Sequence, residues 1–484
     1  MRILEQCYPN RFFYYFEEIA GIPHGSGNTK AISDYLVCFA KEHGLEWYQD
    51  DSNNVIIIKE ATKGYETASP IIIQGHMDMV CEKEKDVSID FEKDGLSLYI
   101  EDDFVRAKGT TLGGDDGIAV CFALALLESN EISHPRLEVV LTVDEEVGML
   151  GAEVMDVSPL KGRMMLNIDS DEEGRFLTSC AGGLSLNGTI PVQRTRQEGR
   201  KIEILITGLL GGHSGSEIDK ERANADILMG RVLHNLFQKL PLGIISLSGG
   251  LKDNAIPREC HASILVPAEA FEIVSSCVRE CNETLQKEYL ISDPELRIEL
   301  TDQGVSEETI LDFSSTNRVI LYLRTVCNGV QHMSRSIDGL VETSLNLGIM
   351  ELKEDALHLV HSLRSSVESR KEDLCRKVST LLDMVGGECE IEGNYPAWEY
   401  KPNSPLREQI TNVYEALFDK KPIFDAIHAG LECGLFSDKI SELDCVSFGP
   451  DIFDIHTPKE RLSISSTGRM WDFLVELLKQ CKES

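Results

Sequence analysis

The sequence predicts an α/β protein in which helices cover both faces of a mostly parallel sheet, interrupted by an inserted α+β domain. Three observations carry this expectation. Short, unbroken apolar runs alternate with helix-like stretches over the first 180 residues, a second series of strands and helices begins near residue 188, and the first kind of pattern returns near residue 398. Continuous apolar runs suit strands covered on both faces, the mark of a parallel sheet between helical layers. A chain of 484 residues also exceeds the roughly 250–300 residues at which a single core splits, so two domains are expected.

Taken in order, "TKAISDYLVCFAKEHG" has helical spacing and ends in Gly. "NVIIIKE", "PIIIQGH", "LEVVLTV" and "RMMLNID" are short, bounded and rich in Ile and Val, as strands are. A helix is expected over 116–128, after "GGDDG". From residue 188 the run "KIEILITG", "GIISLSGG", the helix-like "AEAFEIVSSCVRECNETLQKEY", then "NRVILYLRTVCNG", "LVETSLNLGIMELKED", "LHLVHSLRSS" and "RKEDLCRKVSTLLDMV" resembles two successive α+β units of similar plan. After "EIEGNYPAWEYKPNSPL" come "PIFDAIHAGLECGLF", "DCVSFGP" and a closing helix "TGRMWDFLVELLKQC". The expected division is therefore one domain from residues 1–187 and 398–484, interrupted by 188–397.

Composition narrows the function. There are 81 acidic against 47 basic residues, a formal charge of −34 that repels nucleic acid and anionic membranes, so neither is expected as a partner. The 14 cysteines form no C-x-x-C pair, as expected of thiols in a cytoplasmic protein. The opening "MRILEQCYPNRFFYYFEE" lacks the pattern of a signal peptide, and the longest apolar run, "IAVCFALALL", is too short to span a bilayer.

The apolar runs end in metal-ligand chemistry, and ligand sites in open α/β sheets lie beyond the carboxyl ends of strands. "IIIQGHMD" delivers His76 and Asp78, "GTTLGGDDG" Asp115 and Asp116, "LTVDEEVG" Glu145 and Glu146, "LNIDSDEEG" Asp169, and "FGPDIFDIHTP" His456. Each alone is an ordinary turn or cap residue; agreement at five places is what turns do not predict. Two imidazoles with several carboxylates suit zinc and not an all-oxygen calcium site. So many negative groups in one place would repel unless divalent cations balanced them, which favours two ions over one. Such a pair can activate a shared water for hydrolysis of an amide or ester.

With these motifs in this order the sequence resembles the M20 family of co-catalytic zinc peptidases, and within it the aminoacyl-histidine dipeptidase branch. The resemblance runs from "PNRFFYYFEEIAGIPHGSGN" through "GHMDMVCEK", "GTTLGGDDGIAV", "TVDEEVGMLGA", "GGHSGSEIDKERANA" and "HAGLECGLF" to "DIHTPKERL". It implies two zinc ions, with cobalt or manganese as possible substitutes, bridged by Asp115. His76 and Asp169 would complete one ion and Glu146 and His456 the other. Glu145 matches the general base and Asp78 the group that orients His76, the kind of carboxylate partner a ligating imidazole usually has.

The same resemblance makes 188–397 a lid and dimerisation domain. His213 in "GGHSGSE" would stabilise the oxyanion, while Asn254, Arg364 and Gly430 would hold substrate, Arg364 by a bidentate grip on a terminal carboxylate. The implied protein is a cytoplasmic homodimer acting on short peptides with an unblocked amino terminus, Xaa-His dipeptides such as β-alanyl-histidine included. An N-acyl amino acid amidohydrolase or a carboxypeptidase would share the same metal ligands. A serine hydrolase is disfavoured because "GGHSGSE" does not complete a G-x-S-x-G elbow. A non-catalytic binding protein would be expected to have lost one of these positions, and all are present.

Overall fold

The computed structural model describes residues 2–482. The chain forms two compact units, one made of 1–179, 400–426 and 431–484, the other of 180–399 and 427–430. The four residues Ile427–Gly430, within the segment that returns to the first unit, thus belong to the second.

The first unit is built on an eight-stranded sheet. Its middle is four strands, β1 (Ile71–His76), β2 (Leu137–Thr142), β3 (Met164–Asn167) and β4 (Asp444–Ser447), in the order β2-β1-β3-β4. All three pairings among them are parallel. Every residue of β1, β2 and β3 is buried, which is why they read as unbroken apolar runs. Outside this middle three pairings are antiparallel: Glu46–Gln49 with Val55–Lys59, Val55–Lys59 with β2, and Arg175–Cys180 with β4. The expectation of a mostly parallel sheet thus describes the centre. At the Glu46–Gln49 edge the strand is half-exposed and polar, as an edge must be to resist pairing with another chain.

Helix α1 (Gly114–Glu128) is apolar on all sides, and every residue from Gly117 to Leu127 is buried. One face meets β1 so closely that a Cβ on Gly75 would lie 2.2 Å from the Ala119 Cβ, hence a glycine just before His76. On another side the Phe122 ring lies 4.8 Å from Phe12 and 5.7 Å from Trp471 of the closing helix Ile464–Gln480. Both ends of the chain therefore share one core. A small four-stranded sheet completes the unit, with Ile452–Phe453 and Arg461–Ser463 paired as an antiparallel hairpin and Arg461–Ser463 paired with Phe104–Ala107.

The second unit is a nine-stranded sheet whose pairings are all antiparallel. Its two halves meet where Ser248 and Gly249 pair with Glu351 and Met350. The two expected α+β units are thus fused into one sheet, and the helices, among them α2 (Ala225–Phe237), pack into a single core with both halves. The stretch "NRVILYLRT" lies in a helix, Phe313–Thr325, and its polar–apolar spacing matches that helix's buried Val319, Ile320, Tyr322 and Leu323. At one edge, Glu388–Tyr395 carries Glu388, Glu390 and Glu392, an acidic edge strand.

Candidate metal centre

Parallel register brings the first three strand ends together. His76 is level with Thr142, and Gln74 with Asn167, so the residues just beyond β2 and β3 emerge beside His76. Glu145 and Glu146 follow β2 by a short turn in which Asp144 takes the left-handed conformation (φ 55°). Asp169 lies two residues past β3.

Asp115 arrives as expected, at the start of a helix, whereas His456 departs from the expectation that it follows a core strand. Asp115 stands at the head of α1, on a turn where Gly113 has φ 68°. His456 sits on the loop of the small-sheet hairpin, not at the end of β4, because Gly449 and Pro450 break the chain after that strand. Its own φ is 61°.

Asp115 is central. Its Oδ1 lies 3.1 Å from His76 Nε2 and its Oδ2 3.1 Å from His456 Nε2. On one side Asp169 Oδ1 and Glu145 Oε2 each stand 4.0 Å from His76 Nε2. On the other, Glu146 Oε1 is 2.9 Å from His456 Nε2. Potential ligand atoms of His76, Asp116 and Asp169, of His76, Glu145 and Glu146, and of Asp115, Glu146 and His456 fall into three compact groups. Asp116 is a poor donor despite its place in one of them. Its Oδ1 accepts from Ala119 N and its Oδ2 from His76 N, so it caps the regular part of α1 and ties it to β1.

Asp78 is placed beside His76, with a difference of detail. The imidazole Nδ1 lies 3.0 Å from the Asp78 carbonyl oxygen and 3.5 Å from its carboxylate, so Nδ1–H is directed at the backbone. The carboxylate instead accepts from the backbone N–H groups of Glu145 and Glu146 at 3.1 and 3.4 Å and from the Ser26 hydroxyl at 2.8 Å. It fixes the acidic turn as much as the imidazole. Ser26, and Gly27 whose N–H donates to Asp144, were not singled out by their chemistry in the sequence.

Below the strand ends runs a buried polar chain with no periodic signature. Asn167 donates to Gln74 at 2.7 Å, and Gln74 (2.5 Å) and Thr142 (2.7 Å) both donate to Glu432, the first residue of helix α3 (Glu432–Lys439).

The electrostatics identify what the cluster accommodates. Burial pushes Glu145 up to about 8, with Glu432, Asp115 and Glu146 adding to the rise and His76 opposing it. Burial and Asp116 likewise raise Asp169 well above the carboxylate range. His456 is lifted to about 10 by its bonds to Asp115 and Glu146. For Asp115 burial acts upward, but the two imidazoles outweigh it and hold the carboxyl low. So many buried carboxylates beside two imidazoles call for positive charge between them. His76 gives its Nδ1–H to a carbonyl and turns Nε2 to Asp115, so once that nitrogen loses its proton its lone pair is aimed as in a metal-ligating imidazole. Two imidazoles and three carboxylates around a central Asp fit a pair of divalent cations.

The second unit carries the other expected residues. His213 and Ala255 are bridged across two short strands, and Ser214 N donates to the Asn254 carbonyl at 2.8 Å, so His213 and Asn254 lie on neighbouring loops. Asn346 donates to the Asp253 and Ala255 carbonyls and is itself bonded by Asn224, the cap of α2. His213 Nδ1 accepts from the N–H groups of Gly215 and Ser216 at 3.1 and 3.2 Å, which leaves the proton on Nε2. Burial and nearby Arg364 lower its pKa, so it is a neutral donor. Arg364 donates to the Tyr395 hydroxyl at 3.2 Å, while its Nε has no protein acceptor. Gly430 ends the Ile427–Gly430 stretch, which also contains the buried His428, bonded to Ser344 at 2.7 Å.

Residues 72–480 match Peptidase family M20/M25/M40. The chain is 37% identical to the cytosol non-specific dipeptidase of Escherichia coli (strain K12) over 482 residues, 99% of each chain. Its fold is similar to that of aminoacylhistidine dipeptidase from Vibrio alginolyticus, with a TM-score of 0.93 and 35% identity over 99% of this chain and 98% of that one. An aminopeptidase from Bacillus cereus shares the fold, at a TM-score of 0.58 and 15% identity over 99% of this chain and all of that one. The protein belongs to the M20 peptidase family.

Proposed function

We propose that this protein is a cytoplasmic, metal-dependent dipeptidase that hydrolyses short peptides with an unblocked amino terminus, Xaa-His dipeptides such as β-alanyl-histidine among them. The observation that supports it most is Asp115, with one oxygen 3.1 Å from each of two imidazoles on separate loops. In this reading His76 and Asp169 hold one ion with Asp115, and Glu146 and His456 hold the other. When bound, a pair of zinc ions, or cobalt or manganese in their place, polarises a carbonyl and lowers the pKa of water towards neutrality.

The chain's own residues do the rest. Glu145 is the general base: it takes the proton of the attacking water and passes it to the leaving amine. Asp78 holds the backbone of Glu145 and Glu146, so base and ligand stay in register. His213, with its Nε2 proton available, donates to the oxyanion as the carbonyl becomes tetrahedral. Arg364 takes the terminal carboxylate, with its Nε–H left unmatched by the protein. Asn254 and the backbone at Gly430 hold the peptide. A homodimer is part of this proposal.

The experiment is hydrolysis of an unblocked dipeptide by zinc-loaded protein, before and after chelation and reloading. Turnover that disappears on chelation and returns with two equivalents of zinc supports the assignment. Turnover that survives complete chelation contradicts it.

A further inference from the structure

We infer that Glu460 is a positioning residue that locks the loop carrying Asp115 to the loop carrying His456, so that one carboxylate sets the relation between the two halves of the metal centre. This rests on the assignment of Asp115 and His456 as ligands. Glu460 is 3% exposed. Its Oε2 accepts from Leu112 N at 2.8 Å, and its Oε1 from Gly114 N at 2.9 Å and from Asp115 N at 3.4 Å. Those N–H groups precede the first closed turn of α1 and have no carbonyl partner within the helix. The left-handed Gly113 turns the segment into a concave row of donors, and a buried carboxylate fills it.

A solvent molecule or a local Ser or Asp could satisfy the same donors. What a local cap would not do is come from the hairpin that bears His456. Glu460 ends that hairpin loop, and its own N–H donates to the Thr457 carbonyl at 3.1 Å, while the Thr457 hydroxyl donates to the Asp454 carbonyl at 2.7 Å. The second bond closes a turn over Ile455 and His456, and the first closes the next one, over Pro458 and Lys459. Immediately after Glu460 the chain enters the strand Arg461–Ser463, held to Phe104–Ala107. The fit is also steric: a Cβ on Gly114 would lie 3.3 Å from Glu460 Oε1 and 2.5 Å from Ile452 Cδ1, so the two loops are packed together as well as bonded. Displacing the Glu460 carboxylate therefore unties the backbone at Asp115 from the loop that bears His456, and the ion that needs both is the one shared with Glu146.

The test is a cobalt titration of metal-free wild-type protein, Glu460→Gln and Glu460→Asp, following visible absorption and bound metal per chain, with thermal unfolding of each metal-free protein. Glutamine puts an N–H₂ donor against a row of donors; aspartate keeps both acceptors on a shorter arm. Wild type should bind two Co²⁺. Loss of an outer-shell partner typically weakens metal affinity by about 10–100-fold, so Glu460→Gln should bind its second ion at least about tenfold more weakly, with an altered spectrum, and Glu460→Asp should fall between. A carboxylate that only supports the fold would lower the unfolding temperature of the metal-free protein and leave both affinities and the spectrum at wild-type values; that result overturns the inference. Should Glu460→Gln fail to fold, wild-type second-ion affinity in Glu460→Asp overturns it equally. A wild-type protein that takes up fewer than two ions instead overturns the two-ion site, and this inference with it.

Discussion

Asp226 offers a quantitative test of the second unit, remote in sequence from every proposed ligand. It is the second residue of α2 and fully buried, with the Cys260 thiol beside its carboxyl. It presses on the backbone so tightly that a Cβ on Gly249 would lie 1.8 Å from its Oδ1. Burial pushes its pKa from 3.8 up to about 8, against the opposing hydrogen bond from the Cys260 thiol. The sign follows from linkage. The unfolded chain releases this proton near pH 4, whereas the folded protein keeps it until about pH 8, so the stability associated with the protonated carboxyl is complete at low pH and is lost as pH rises through that window. Each pH unit within it costs about 1.4 kcal/mol, so between pH 5 and pH 8 wild type should lose about 4 kcal/mol from this group. In Asp226→Asn the slope disappears. The amide leaves a buried donor unsatisfied, a penalty of about 1–3 kcal/mol, but that penalty does not vary with pH. Urea unfolding of both proteins in chelator at half-unit steps from pH 5 to pH 8 measures the difference directly, because the other titrating groups are common to both and cancel. The Asp226→Asn variant should gain on wild type by about 4 kcal/mol across the series. A stability difference that stays constant with pH would mean that Asp226 does not carry a raised pKa in the folded protein.

Three further outcomes follow from the first unit. Glu145→Gln should lower kcat by about 10²–10⁴-fold, the usual worth of a general base, while bound metal stays at the wild-type level. His456→Ala should reduce bound zinc from two ions to one per chain under dialysis that leaves wild type full. Asp78→Ala should weaken zinc by about 10–100-fold and should also lower kcat at saturating zinc, since the carboxylate holds the backbone of Glu145 as well as facing His76. Full activity on zinc saturation would confine Asp78 to metal affinity.

The parallel centre of the first sheet was legible because burial on both faces leaves an unbroken apolar run, and β1, β2 and β3 are such runs. The groups beyond them were legible for the same reason: His76, Glu145, Glu146 and Asp169 interrupt apolar text with charge. His456 was found by its residue type, but its hairpin was not, because strands as short as Ile452–Phe453 carry no period. Glu432 and Glu460 were missed entirely. Each is a buried carboxylate whose partners are about 290–358 or 345–348 positions away, and pairing over such separations leaves no mark in local spacing. The same holds for Ile427–Gly430, four residues that join the second unit between segments of the first.

The measurement that bears most directly on the central claim is the initial rate of amide cleavage by zinc-loaded protein on β-alanyl-histidine and other unblocked dipeptides, each against its N-acetylated counterpart. The unblocked members should be cleaved and the acetylated ones little or not at all. Preferential cleavage of the acetylated members would contradict the dipeptidase assignment and move the protein to the deacylase or carboxypeptidase side of its family.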